Sequence, residues 1–261
     1  MTLYHEVEGD GPAVVFVHEG IVDSRVWDPQ WASFEGYRRV RLDLRGFGRS
    51  PVGKLPLGHA RDVIELLDAL GVSGAALVAG SLGGRVALEV ALERPDLVGA
   101  LVLVGGGLPG VQWAEEIKAY GQAEGEAVRR GDLDLATELN LRMWVDGPRR
   151  APADVDPEVR EAVRAMQRQA LELQAPVWAE LDEEPLVADV GGRLGEIRAP
   201  ALVLVGEEDV PDIHGIAARL AGAIPGARSA TIPRAAHVPH LERPADFDAL
   251  VLPFLAEVFA E

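Results

Sequence analysis

Residues 75–92 read AALVAGSLGGRVALEVAL (Ala75–Leu92), and the reading of this stretch decides the fold. Ala75–Ala79 is a short apolar run with the length and composition of a buried strand. Gly84–Leu92 is apolar enough for a buried helix. Gly80-Ser81-Leu82-Gly83-Gly84 joins the two with no spare residues, so the backbone must bend sharply at one position. The residue at such a bend carries its side chain outward, above the first N–H groups of the helix. Ser81 is therefore a candidate nucleophile, and the Leu82 N–H a ready half of an oxyanion hole. Small residues, Ala79 and Gly83, let strand and helix approach each other. In the G-x-S-x-G pattern of such elbows, Ala79 stands where the first glycine would. The competing reading is a Gly-rich turn whose serine only caps the helix.

The flanking sequence supports an alternation of strand and helix. Upstream, Leu3–Glu8 alternates apolar and polar and runs into the turn Gly9-Asp10-Gly11-Pro12, which predicts an edge strand and hairpin. Ala13–Val17 is a buried strand that delivers His18-Glu19-Gly20 into a loop. Val40–Leu42 is a further strand, followed by the glycine-punctuated loop Asp43–Pro51. Gly58–Leu70 has helical apolar spacing and is closed by Gly71. Downstream, Pro95 stops the Ser81 helix and Leu101–Val104 is again a strand.

From about Leu108 to Gly195 strand-like runs disappear. Amphipathic helical segments take their place: Trp113–Arg130, Leu133–Trp144 and Pro157–Leu181. The alternation resumes with the strand Ala201–Val205, the helix Ile213–Ile224, the strand Ser229–Ile232 and a closing helix, Ala245–Phe259. The pattern predicts an α/β fold: a mostly parallel sheet flanked by helices, with residues 1–107 and 196–261 as the core and 108–195 as a helical cap insertion. In such sheets sites form beyond the carboxyl ends of the strands. His18, Asp43, Ser81, Gly105 and Asp209 all lie just past such ends.

A serine hydroxyl needs a base, and the base needs an acid to fix its tautomer. Of six histidines, only His237 and His240 follow a late strand on a loop able to reach Ser81. His237 is nearer the strand end and follows the small residues Ala235 and Ala236, so it is the preferred base; His240 reads as a loop histidine. Asp209 and Asp212 both follow the penultimate strand. Asp209 is placed to meet a histidine on the neighbouring loop, whereas Asp212 reads as a cap for the helix near Ile213. The order Ser81, Asp209, His237 is nucleophile, acid, base.

Taken with the H-x-G loop (His18-Glu19-Gly20), Asp43–Ser50, the elbow, Gly206–Asp209 and Ala236–Pro244, the whole chain resembles the α/β-hydrolase superfamily. The resemblance implies Ser81 as nucleophile, His237 as base and Asp209 as orienting acid. It adds the Gly20 N–H to that of Leu82 in the oxyanion hole, leaves Asp43–Ser50 structural, and puts the cap after the sixth strand. Two departures stand out. Glu19 sits where glycine is usual, and a carboxylate beside an oxyanion hole would oppose the developing charge unless its side chain points away. Arg234 replaces a common glycine and is expected to pair with a surface acid.

The implied activity is hydrolysis of small carboxylic esters or lactones, with a likeness to enol-lactone hydrolases in Trp27–Gln30 (WDPQ). Carbon–carbon bond hydrolases and cofactor-free perhydrolases share the triad, and a non-catalytic small-molecule receptor is the rival from another class. A serine nucleophile argues against the aspartate-dependent dehalogenases and epoxide hydrolases of this fold. No cofactor or metal is expected: Gly105–Gly110 matches G-x-G-x-x-G but does not open a helix, and His237 and His240 lack companion ligands. A net charge of −17 argues against nucleic acid and anionic membranes as partners. No apolar run is long enough to span a membrane, no basic and apolar leader opens the chain, and there are no cysteines, so a cytoplasmic location is expected. The large apolar residues of the insertion, Trp113, Tyr120, Met143, Trp144, Met166 and Trp178, are expected to pack it on the sheet, some of them lining a pocket.

Overall fold

The computed structural model describes residues 3–260. Seven strands form one sheet: β1 (His5–Glu8), β2 (Ala13–Val17), β3 (Arg38–Leu42), β4 (Ala75–Gly80), β5 (Val98–Val104), β6 (Ala201–Gly206) and β7 (Arg228–Ile232). Their order is β1-β3-β2-β4-β5-β6-β7, and all neighbours are parallel except β1 and β3. The expected hairpin between the first two strands is not formed. β1 pairs with β3 instead, Val7 opposite Val40, and the Gly9–Pro12 turn carries the chain past β3 to β2.

The central strands are apolar at every position because both faces of a parallel sheet are covered. Alternate residues of β4 point to opposite sides. Ala75, Leu77 and Ala79 join a core with helices α2 (His59–Ala69) and α3 (Leu82–Glu93). Ala76 and Val78 join a second core with Phe16, Trp27 and Phe34 and the closing helix Pro244–Val258. Between these lie α1 (Asp28–Ser33) early in the chain and α8 (Pro211–Ala223) and α9 (Pro239–Glu242) late in it; the closing helix is α10.

Between β5 and β6 the described residues contain no strand of this sheet. They hold α4 (Glu115–Arg129), α5 (Leu133–Asn140), a π-helical turn (Leu141–Asp146), α6 (Pro157–Gln174) and the short α7 (Val190–Arg193). The insertion therefore follows the fifth strand, not the sixth. Only one strand, β1, precedes the parallel set, so the count implied by the resemblance is one too high. The helices are also shorter than their apolar spacing suggested: Leu133–Trp144 breaks into α5 and the π turn, and α6 stops before Pro176. Val187, Val190 and Leu194 at the end of this segment pack into the α2–α3 core, and Glu89 of α3 accepts the Val187 N–H at 3.0 Å. Among the described residues no helix is long and apolar enough to cross a membrane.

Candidate active site

Ser81 joins β4 to α3 at φ 44°, ψ −107°, a conformation that L-residues rarely adopt. Three backbone bonds hold the bend: Ser81 N–H to the Val104 carbonyl at 2.9 Å, Gly83 N–H to the His18 carbonyl at 3.1 Å, and Gly107 N–H to the Ser81 carbonyl at 2.9 Å. Gly83 sits where a side chain has no room. A methyl there would meet the Val17 carbonyl and come within 2.7 Å of the His18 carbonyl. Among the described residues neither the Leu82 nor the Gly20 N–H donates a hydrogen bond.

His18 fixes the loop that carries Gly20. Its Nε2 accepts the Leu44 N–H at 2.9 Å, which leaves the proton on Nδ1, donated to the Glu19 carbonyl at 2.7 Å. Burial lowers its pKa, so this imidazole is a neutral brace. Asp43 is likewise structural: its two oxygens accept Ser24 N–H and Arg49 N–H, each at 2.8 Å.

His237 Nδ1 lies 2.8 Å from Asp209 Oδ2, with both side chains buried. Burial opposes protonation of His237, but the adjoining Asp209 carboxylate outweighs it and lifts the imidazole above its usual pKa. The Asp209 Oδ1 accepts the Val210 N–H at 2.8 Å, which orients the carboxylate. Gly105 makes room for the ring: a methyl there would lie 3.2 Å from His237 Nδ1. His237 N–H donates to the Trp144 carbonyl of the π turn at 3.1 Å, and the two rings sit 4.6 Å apart. Ser81 and His237 face one cavity of about 280 Å³ without a hydrogen bond between them. Such contacts commonly tighten only with substrate bound.

Glu19 lines that cavity, yet both of its carboxyl oxygens are inaccessible and without hydrogen-bond partners. The carboxyl fills the space beside Gly80, where any side chain would collide with it, and its Oε1 is 3.6 Å from His240 Nδ1. Burial pushes its pKa up to about 8, so it is uncharged at neutral pH. His240 is buried as well, stacked on Trp27 at 3.9 Å, and burial beside His237 brings its pKa down to about 3. It is a buried neutral imidazole rather than a loop histidine at the surface. Asp212 does not cap α8, whose N-cap is Val210; its Oδ1 accepts the Ala114 N–H at 2.8 Å and ties α8 to the start of α4. Arg234 makes no side-chain ion pair among the described residues. Its backbone, at φ 57°, explains the usual glycine, and its N–H donates to Glu207 at 3.0 Å.

The cavity is closed by residues that sequence reading passed over: Glu124, Asn140, Gln167 and Gln174. The signal was available, because Gln167 and Gln174 fall on the buried stripe of α6 with Val163, Met166, Ala170 and Leu171. Polar residues on an apolar stripe mark a wall facing something polar. Of the large apolar residues, Tyr120, Trp144 and Trp178 do line this cavity, whereas Met166 is in the core. A second cavity, about 290 Å³, meets Ser81 from the other side between Leu108, Val111, Trp113 and Ile213, with Arg85 at its edge paired to Glu183. A larger, open depression of about 870 Å³ by Ala91, Pro95 and Pro225 lies at the opposite, amino-terminal edge of the strands, away from Ser81 and His237.

This architecture is that of a hydrolase. Residues 14–250 match the Alpha/beta hydrolase family, and the chain belongs to it. It is 29% identical to a 2-hydroxy-6-oxo-6-phenylhexa-2,4-dienoate hydrolase of Comamonas testosteroni, over 98% of this chain and 91% of that one. A malate-bound thermophilic esterase from Thermogutta terrifontis superposes with a TM-score of 0.79 at 26% identity, covering 98% and 93% of the two chains. Est816, described as an N-acyl homoserine lactone degrading enzyme, superposes with a TM-score of 0.76 at 27% identity, covering 97% and 96%.

Proposed function

We propose that the chain is a serine hydrolase that cleaves carboxylic esters or lactones through an acyl-enzyme on Ser81. The observation that carries this reading is the His237–Asp209 pair, held at 2.8 Å on a cavity shared with the strained Ser81. Because Asp209 accepts the Nδ1–H hydrogen bond and keeps the proton on Nδ1, Nε2 is left as the base. His237 removes the Ser81 proton as the oxygen attacks the acyl carbonyl. The unengaged Gly20 and Leu82 N–H groups receive the oxyanion. His237 then protonates the leaving oxygen, and water clears the acyl group by the same route.

Stoichiometric labelling by a fluorophosphonate, read as intact mass and lost in Ser81→Ala, is the expected result. Ser81→Ala and His237→Ala should each lower ester turnover by on the order of 10⁴–10⁶. A folded wild type that takes no label overturns the reading and favours a binding role. A second reading, carbon–carbon bond hydrolysis, is favoured by the kinship to the dienoate hydrolase. Turnover of a 2-hydroxy-6-oxo-dienoate exceeding that of every ester and lactone would select it.

A further inference from the structure

The polar cavity beside Ser81 has a definite hydrogen-bonding sense. Several of its side-chain donors are spent on one another and on backbone. Trp144 Nε1–H donates to the Tyr120 hydroxyl at 3.1 Å, and Tyr120 O–H donates to Asn140 Oδ1 at 2.7 Å. Asn140 Nδ2 donates to Glu124 Oε1 at 2.6 Å and to the Ala136 carbonyl at 2.9 Å. Gln174 Nε2 donates to the Gly46 carbonyl at 3.0 Å. This chain of bonds ends on a carboxyl, so deep in the wall acceptor capacity is left on Glu124 and on the Gln174 carbonyl oxygen, while the unspent Gly20 and Leu82 N–H groups lie at Ser81 and the Gln167 carboxamide N–H groups make no bond among the described residues. The buried carboxamide oxygen of Gln167 also has no partner. Among the described residues no lysine or arginine lines the wall, so an anionic group held against Glu124 meets no basic side chain there other than His237 at the Ser81 end.

Buried acceptors without donors are costly to leave unmade. A site of this kind favours a ligand that brings donors, and it discriminates strongly against analogues that lack them. We propose that this cavity holds a part of the substrate bearing a hydrogen-bond donor, a hydroxyl or an ammonium, and that Glu124 is the residue that selects it. Burial raises the Glu124 pKa, as expected of a carboxyl that needs such a partner. The proposal rests on the hydrolase reading above and adds the substrate class: neutral or cationic esters with a polar end, not anionic ones.

The test uses two ester series with the full chain, followed by proton release. One varies the acyl end: the methyl esters of hexanoic, 6-hydroxyhexanoic and 6-aminohexanoic acids, and monomethyl adipate. The other varies the alcohol end in the same way as acetates. In at least one series the hydroxyl- or amino-ended ester should exceed the methyl-ended one in kcat/KM by about tenfold or more, with the carboxylate-ended ester the poorest. The two donor-ended members separate a hydroxyl preference from an ammonium preference. Glu124→Gln should bring the amino-to-methyl ratio towards one while Ser81 still takes the fluorophosphonate.

A methyl- or carboxylate-ended ester that is best in both series overturns the proposal, as does an unchanged ratio in a labelled Glu124→Gln. If Glu124→Gln takes no label, Gln167→Met carries the test: the donor-to-methyl ratio should fall, and an unchanged ratio overturns the proposal. Labelling of wild type without turnover of any member also overturns the substrate class, whereas a wild type without labelling overturns the hydrolase reading beneath it.

Discussion

Glu19 is the residue whose chemistry departs most from its surroundings. A carboxyl next to the Gly20 N–H would oppose an oxyanion if ionised, and the fold avoids this by burying it beside Gly80 with a pKa of about 8. The native chain therefore keeps a proton there that the unfolded chain releases from about pH 4.5 upward. A raised native pKa means stability that is full below the unfolded value and is lost as pH rises to the folded value, here between about pH 4.5 and 8. The loss is of order a few kcal/mol. Glu19→Gln cannot ionise, so urea denaturation of the variant should show a shallower fall across that window than the wild type. Parallel curves would mean that Glu19 is already ionised in the native protein. Sequence alone could flag Glu19 as out of place but could not give its direction, because one rotation of the side chain decides whether the carboxyl faces the cavity or the wall.

Among the elements, the junction of β4 and α3 does the most with the fewest residues. Gly83 brings α3 against the loop after β2, its N–H bonded to the His18 carbonyl. Gly83→Ala should lower stability by about 1–3 kcal/mol, the range for overpacking, and slow fluorophosphonate labelling of Ser81. Thermal unfolding and labelling rate check it together; a stable variant that labels at the wild-type rate would show that the junction has slack. This junction was legible because it is local: a strand, a bend and a helix in eighteen consecutive residues. Asp209 and His237 were legible for a related reason, since each follows the end of a strand whose register is set by its apolar run. The walls of the cavity were not. Glu124, Asn140, Gln167 and Gln174 come from three helices whose mutual packing no local pattern specifies, and the π turn that sets Trp144 over His237 leaves no mark in the apolar spacing.

For the molecule as a whole, 42 acidic against 25 basic side chains give a net field that disfavours the approach of anions. Salt weakens such a field, the screening length falling to a few Å at high ionic strength. Raising salt should therefore increase kcat/KM for a carboxylate-ended ester and decrease it for an amino-ended one. Identical salt responses would place the discrimination wholly inside the cavity. The hydrogen bond from His237 N–H to the Trp144 carbonyl has a different kind of consequence. It makes the β5–β6 segment a supplier of main chain to His237, and so limits how that segment can be exchanged. A chimera that borrows these helices from a relative must first reproduce one peptide oxygen. A graft that ends its second helix in an ordinary α-turn would set that oxygen elsewhere, and would bring a new pocket to a misaligned imidazole.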